Sequence, residues 1–364
     1  MFISNRTNLL AQGHYLPYPV NMIIRLEKPT LRRKDMDAVL QTMADEQIGV
    51  GDHTLAFTTL LQEKMHRAGY VTALRDRIHA LSYALIGIGI TAGSVVGVSA
   101  LSPRFYQTVI NSLGASMEIF DIDPATGNLS YERVAVFGFD KLDAMLLYEP
   151  YGCLPITGSW EHLQIPLIED ISESFGSTWE ENPAGTLGDV AILAFEESAL
   201  VSTAGGAAIM TEDPVIAENI ETAMNPCYRE IALPGMNAAL GVVQLAQADR
   251  NLEKRRAIFD RYRYALMRTH HALFGISDVE YGMNGYGFVV ILDSRPETVK
   301  QFALRYEVAV DFAFSNTVIG DNLEDFDRFP HAIPCVTRGM RFPLYPFLSS
   351  QEIGRIEKVI AHLP

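Results

Sequence analysis

Cysteine is scarce in this chain: three residues in 364. Cys153, Cys227 and Cys335 lie far apart and lack the short spacings of a metal site. A sparse, odd set reads as reduced thiols in a cytoplasm, not as a disulfide framework. Positive charge is also in short supply, with 29 Lys and Arg against 44 Asp and Glu and a net charge of −15. A field of that sign repels phosphate backbones and argues against nucleic acid as a partner. The one basic stretch, "RNLEKRRAIFDRYRYALMR" (250–268), goes with Leu245, Leu252, Phe259 and Leu266 at seven-residue spacing. Its cations therefore read as the wet face of a long helix. A long uninterrupted apolar run is missing too. The most apolar window (80–101) is punctuated between Gly87 and Gly93 and reads as helix, turn and strand, not a membrane span. The N-terminus lacks a basic start followed by an apolar core, so no signal peptide is expected.

What the chain does have is a 48% apolar fraction with 20% charged residues, enough to bury a core. Its length suits a large α/β domain with a smaller companion. Helices are expected over 32–47, 56–69, 104–114 and from residue 78 onward to a glycine stop. Strands are expected over 94–100, 116–123, 144–150, 165–171, 190–195 and 207–211. Such alternation builds a mostly parallel sheet covered on both faces. A helical stretch after Gly235 leads to a smaller unit containing 286–293, 297–310 and a last helix at 350–363. The expected division is an N-terminal arm (1–28), a large domain (29–249), and an interdomain helix with a small C-terminal α/β domain (250–364).

Ligands of such sheets gather beyond the carboxyl ends of the strands. There the sequence offers four acids, Glu149, Asp170, Glu173 and Glu196, and two arginines, Arg75 and Arg77. The segment "DVAILAFEESALVSTAGGAAIMTED" is built like one that delivers a reactive side chain: strand, polar switch, glycine turn, strand. Yet it contains no lysine, cysteine, histidine or tyrosine. Gly205 and Gly206 serve the backbone turn. His79, His270, His271 and the "PHAIPC" segment lack ligand partners at metal spacing, and no metal site is expected.

From about Pro29 onward the sequence resembles the DegT/StrS family of sugar aminotransferases, which have the fold-type I architecture of pyridoxal-phosphate (PLP) transferases. The stretches that carry the resemblance are "ASMEIFDIDPATGNLS" (115–130), "YEPYG" (148–152), "IPLIEDISESFGSTW" (165–179), "GTLGDVAILAF" (185–195) and "FPLYPFLSSQEIGRIEKVI" (342–360). The resemblance implies a three-layer large domain with a mostly parallel sheet, a small C-terminal domain, a homodimer and PLP chemistry. Its residue-by-residue reading departs at the site. Eleven residues past Gly188, where the family has its Schiff-base lysine, stands Ala199. An alanine methyl cannot form an imine. The phosphate-binding serine falls on Ala194, the following histidine on Glu196, and the phosphate-wrapping helix start on Asp76-Arg77-Ile78. The ring-covering aromatic falls near Pro103, a histidine on Glu149, a glutamine on Glu173, and the cross-subunit signature on residues 230–235. Asp170 matches the aspartate that pairs with the pyridinium nitrogen.

Acids around a phosphate site cost on the order of 4 kcal/mol per close pair. The sequence therefore leads us to expect no bound cofactor, with Arg75 and Arg77 paired internally with Glu196, Glu173 or Asp170. The function it suggests is a degenerate homologue: a pseudoenzyme, or a ligand-binding or regulatory protein for a small molecule or nucleotide-sugar, tied to nucleotide-sugar or polysaccharide metabolism. Two alternatives stand beside it. One is a lysine-independent sugar-modifying enzyme using acids such as Glu173 and Glu196, or a metal, in the same pocket. The other is a scaffold or heteromer partner, which would expose an apolar patch.

Overall fold

The computed structural model describes residues 23–65, 69–156, 158, 160, 163–275, 281–321 and 323–364. Most of the expected N-terminal arm, residues 1–22, lies outside the described residues. The described part of the arm includes Ile24, a buried residue bridged to Val308.

In chain order the strands among the described residues are β1 (Tyr70–Leu74), β2 (Val95–Ser99), β3 (Ser116–Phe120), β4 (Ala144–Tyr148), β5 (Leu167–Asp170), β6 (Thr178–Trp179), β7 (Asn182–Pro183), β8 (Val190–Ala194), β9 (Ala207–Thr211), β10 (Ala272–Leu273), β11 (Tyr281–Gly282), β12 (Phe288–Ile291), β13 (Asp311–Phe312) and β14 (Gly339–Phe342). The central sheet has seven strands in the order β1-β9-β8-β5-β4-β2-β3. The pairs β2–β3, β2–β4, β4–β5 and β5–β8 are parallel, while β9 runs antiparallel to both neighbours. A smaller antiparallel sheet has the order β10-β12-β14-β13. Between the two lies the 19-residue helix Ala248–Leu266, whose first turn holds residue 250.

The central strands are apolar at almost every position because both faces are covered. In β4, Ala144, Leu146 and Tyr148 join the main core, and the alternate residues Met145 and Leu147 join a second cluster with Phe120, Val134 and Trp160. The seven-residue pattern Leu245, Leu252, Phe259 and Leu266 is buried throughout, as its spacing predicts. Strand β1 is the one strand of the central sheet with no sequence assignment. Its "YVTAL" is short and only half buried at its start, which leaves no clear period to read.

Four helices matter for the site: α1 (Arg33–Ala44), α2 (Asp52–Lys64), α3 (Arg77–Gly87) and α4 (Phe105–Ser112). Helix α1 is amphipathic in an unexpected sense. It buries Asp35 and Thr42 and turns Met36, Leu40 and Met43 to the outside.

Candidate functional site

Strand register brings the candidate residues to one edge of the sheet. Because β9 is antiparallel to both β1 and β8, those two strands point the same way. Leu74 and Ala194 both pair with Ala207 there, and Tyr148 pairs with Asp170. The start of α3, the turn after β5 and the loop after β8 therefore meet at the carboxyl ends of the parallel strands, as such sheets require. The loop is closed by its own backbone. The Phe195 N–H donates to the Gly206 carbonyl at 2.8 Å, and the Thr203 and Gly205 N–H groups donate back to the Phe195 carbonyl at 3.1 and 3.0 Å. Gly205 and Gly206 have φ of 112° and 116°, a region glycine enters without penalty. Ala199 is buried in this loop, and its N–H donates to the Glu196 carbonyl at 3.1 Å. Ala194 is buried at the strand end, with its N–H on Ser172 Oγ at 3.0 Å.

Asp170 is 5% exposed and held by hydroxyls. Tyr106, from α4, donates to Oδ2 at 2.5 Å, and Ser172 donates both its hydroxyl and, at 3.0 Å, its N–H to Oδ1. Tyr106 lies fully buried with its ring edge-on to Phe105 and Tyr148. Burial, then the adjacent Asp170 charge, pushes its hydroxyl well above the usual tyrosine range, so it is a fixed donor. Neither hydroxyl was foreseen. The only sequence signal was an aromatic pair at a helix start, "FY" in "SPRFYQ", just past the end of β2.

Glu149 and Glu173 part company. Side chains alternate faces along a strand, so Tyr148 and Asp170 share one face while Glu149 falls with Glu169 on the other. Glu149 is 0% exposed and therefore is not a cleft residue, contrary to its expected role in ligand binding. It accepts from Ser174 Oγ and is in hydrogen-bond contact with the Glu169 carboxyl, while its Oε1 receives no donor. Two touching carboxyls need a proton between them, and burial, then the Glu169 charge, pushes Glu149 well above the carboxylate range. Glu169 itself accepts from the N–H groups of Gly185, Leu187 and Gly188 at 3.2, 2.8 and 2.6 Å. Glu173 stays at the cleft edge. It accepts from the Tyr151 N–H at 2.9 Å and from the Tyr148 hydroxyl. Burial raises its pKa, and these bonds together with the Arg341 charge only partly offset the rise.

The expected arginine network is smaller than the sequence suggested. Arg77 lies 3.6 Å from Glu196, both side chains 45% exposed, and stacks its guanidinium 4.4 Å from the Phe105 ring centre. Arg75 is exposed and its side chain pairs with none of the acids among the described residues; its N–H donates to the Ile231 carbonyl at 2.7 Å. Asp170 and Glu173 are bonded by neutral donors instead, because burying a guanidinium beside them carries a desolvation penalty that a hydroxyl avoids. At the start of α3, Asp76 caps the helix through the His79 N–H at 2.9 Å and meets the His79 ring Nδ1 at 2.8 Å. Burial lifts the Asp76 carboxyl, but the bonds from His79 and from the Ile78 N–H outweigh it and hold the pKa below its usual value. The aromatic side chain at the cleft is Phe105, two residues beyond the Pro103 position that the resemblance indicated.

This geometry has known relatives. The family model of DegT/DnrJ/EryC1/StrS aminotransferases matches residues 29–361. The chain belongs to that family. Among the relatives of this family member, the GDP-perosamine synthase of Escherichia coli O157:H7 is 24% identical over 356 residues, covering 91% of this chain and 95% of its own. The aminotransferase TlmJ from Streptoalloteichus hindustanus superposes with a TM-score of 0.85 at 21% identity, over 93% of this chain and 98% of TlmJ. The PLP form of Spr1654 from Streptococcus pneumoniae superposes at 0.84 with 18% identity, over 93% and 98%. These neighbours establish the fold-type I architecture.

The family match also corrects the expectation of no cofactor. The family and neighbours solved in PLP and PMP forms point to PLP as the group that belongs with this fold. The residues present nevertheless do not fit PLP held through a lysine imine. Residue 199 carries no amine. Each Asp170 oxygen accepts a hydroxyl bond from the protein, so a pyridinium N–H would have to share the carboxylate with Tyr106 and Ser172. The first N–H groups of α3, where a phosphate would be wrapped, are closed by the Asp76 carboxylate.

Proposed function

We propose that this chain is a sugar-binding member of its family that does not transaminate through a lysine imine, a pseudoenzyme of nucleotide-sugar or polysaccharide metabolism in the cytoplasm. The observation that carries this reading is Ala199, buried on the loop after β8 in a segment without any lysine from Asp189 to Asp213. The relative named GDP-perosamine synthase supports a nucleotide-activated sugar as the ligand class, and the three free thiols support the compartment. The test is incubation with PLP, borohydride reduction and peptide mapping. No lysine of the chain should carry a stoichiometric phosphopyridoxyl group, and stoichiometric labelling of a single lysine anywhere in it would end the proposal. Titration calorimetry with GDP-mannose reads ligand binding separately from cofactor chemistry.

One observation favours a second reading, the lysine-independent enzyme. Glu173 sits at the cleft edge with a raised pKa, beside the Tyr148 hydroxyl and uncapped by Arg75 or Arg77, as a general acid would. Turnover of a nucleotide-sugar that Glu173→Gln abolishes, with binding intact, would decide for it. The homodimer implied by the family is supported by α1, whose outward Met36, Leu40 and Met43 adjoin the exposed Ile48 and Leu55. An apolar face on an outer helix asks for a partner, and light scattering on the pure protein measures the stoichiometry.

A further inference from the structure

Arg255 is a buried cation without a counterion. It lies on the helix Ala248–Leu266 and is 3% exposed. Its Nη1 donates to the carbonyls of Gly285, Tyr286 and Leu344 at 3.3, 3.1 and 3.1 Å. Its Nε has no partner, and no carboxylate reaches it within ion-pair distance among the described residues. Arg341, on β14, differs in having a counterion: its Nη2 is 3.4 Å from Glu27, and burial, which lowers its pKa, is outweighed by Tyr151 and Glu27, while its buried Nε is unpartnered. Removing a guanidinium from water without a balancing charge is strongly unfavourable. The burial alone brings the Arg255 pKa down to about 10.

Both arginines line one small cavity of about 20 Å³, together with Glu27, Lys28, Ser198 and Tyr286. That volume holds a single small solute. Its lining brings three cations against one carboxylate, and Glu27 is half exposed and already shared with Arg341. A water molecule there would leave the charge of Arg255 unbalanced. We propose that this cavity between the C-terminal sheet and the loop after β8 is a binding site for a monoatomic anion of chloride size, held by Arg255 and Arg341 beside Ser198. Ser198 immediately precedes Ala199, so the ion braces the loop on which that residue sits from the side of β14. Carbonyl acceptors fix the Arg255 guanidinium at the cavity wall. The site is separate from Asp170 and Glu173, and it stands or falls independently of the sugar reading.

The experiment compares thermal unfolding of the whole protein in sodium chloride, sodium bromide and sodium gluconate at matched pH and ionic strength. Only halides should raise the midpoint, and the rise should saturate at first and then climb logarithmically with concentration, as a ligand of the native state does. The rise should shrink or vanish in Arg341→Gln, which keeps the stem and removes the charge. Crystals soaked in bromide should show an anomalous peak bounded by Ser198, Arg255 and Arg341. Equal midpoints in halide and gluconate overturn the proposal, as does a halide rise undiminished in Arg341→Gln. A peak without anomalous signal means a water molecule only, and a bromide peak without any solution response means binding at crystal concentration only; each also overturns it. Arg255→Gln may be read only where it folds, and the Arg341 variant keeps the test decisive when it does not.

Discussion

Replacing Glu149 by glutamine should make the protein relatively more stable as pH rises. In the folded state Glu149 is fully buried against Ser174 and Glu169, and its pKa stands well above the ordinary 4.5, first because of burial and then because of the neighbouring charge. In the unfolded chain it titrates near the ordinary value. A carboxyl whose folded pKa is raised contributes stability below its unfolded pKa, and that contribution declines as pH climbs toward the folded pKa. The linkage slope for one proton is about 1.4 kcal/mol per pH unit. Wild type therefore gives up about 1.4 kcal/mol per unit from pH 5 upward on account of this group alone. Glutamine keeps a donor toward Glu169 and has no proton to lose, so it escapes that decline. The difference in unfolding free energy, variant minus wild type, should rise with pH above the unfolded pKa, by up to about 1.4 kcal/mol per unit until the folded pKa is reached. Urea titrations followed by circular dichroism at pH 5, 6 and 7 measure it. A difference independent of pH, or one growing more negative toward pH 7, would mean that Glu149 is buried as a carboxylate, and the proton between it and Glu169 would have to be given up.

Tyr106→Phe removes the hydroxyl from the buried Asp170 Oδ2 and should cost about 1–3 kcal/mol of stability, read in the same urea titration; a loss below about 0.5 kcal/mol would show the bond to be replaceable. Arg77→Ala breaks a half-exposed pair and a stacking contact with Phe105, so its effect should stay within about 1–2 kcal/mol and shrink in high salt. Gly206→Ala forces a side chain into a φ of 116° and sets its Cβ 2.6 Å from Leu233 Cδ1; thermal unfolding should register a loss of roughly 1–3 kcal/mol, against little change for an exposed alanine.

The parallel part of the sheet was legible because its strands are short apolar runs closed by glycine, proline and acid, and a run of that kind belongs only in a sheet covered on both faces. The long helix was legible from Leu252, Phe259 and Leu266, whose spacing has one solution. Other features were not local. Nothing near Asp170 in the chain names Tyr106, a residue 64 positions away that reaches it only because α4 packs against α3 and β3. Glu149 was assigned to the cleft because it follows a strand; its true side depends on the register of β4 against β5, which moves every side chain to the opposite face with a one-residue slip. Helix α1 had an amphipathic pattern, but the pattern does not say which face meets the core, and Asp35 turned inward through the Arg32 N–H and the Gln244 amide.

The pairing of Arg75 and Arg77 with the cleft acids failed for a reason that reaches across the molecule. Counting opposite charges assumes that a buried ion finds an ion, whereas here buried ions find neutral dipoles. Asp170 is held by two hydroxyls and a backbone N–H, Glu169 by three backbone N–H groups, and Arg255 by three carbonyls. Dipoles satisfy hydrogen-bonding capacity without adding a second desolvated charge, but they leave the net charge standing. That residue of charge must be removed by other means, and two are open: a proton or a counterion. On the acidic side the Glu149–Glu169 contact takes the proton. On the basic side no proton leaves a guanidinium whose pKa remains near 10 at neutral pH, so the balance at Arg255 falls to an anion. The same packing choice thus accounts for a pH-dependent stability at Glu149 and a halide-dependent stability at Arg255, and the two responses should be independent: Glu149→Gln should leave the halide response intact, and Arg341→Gln should leave the pH slope intact.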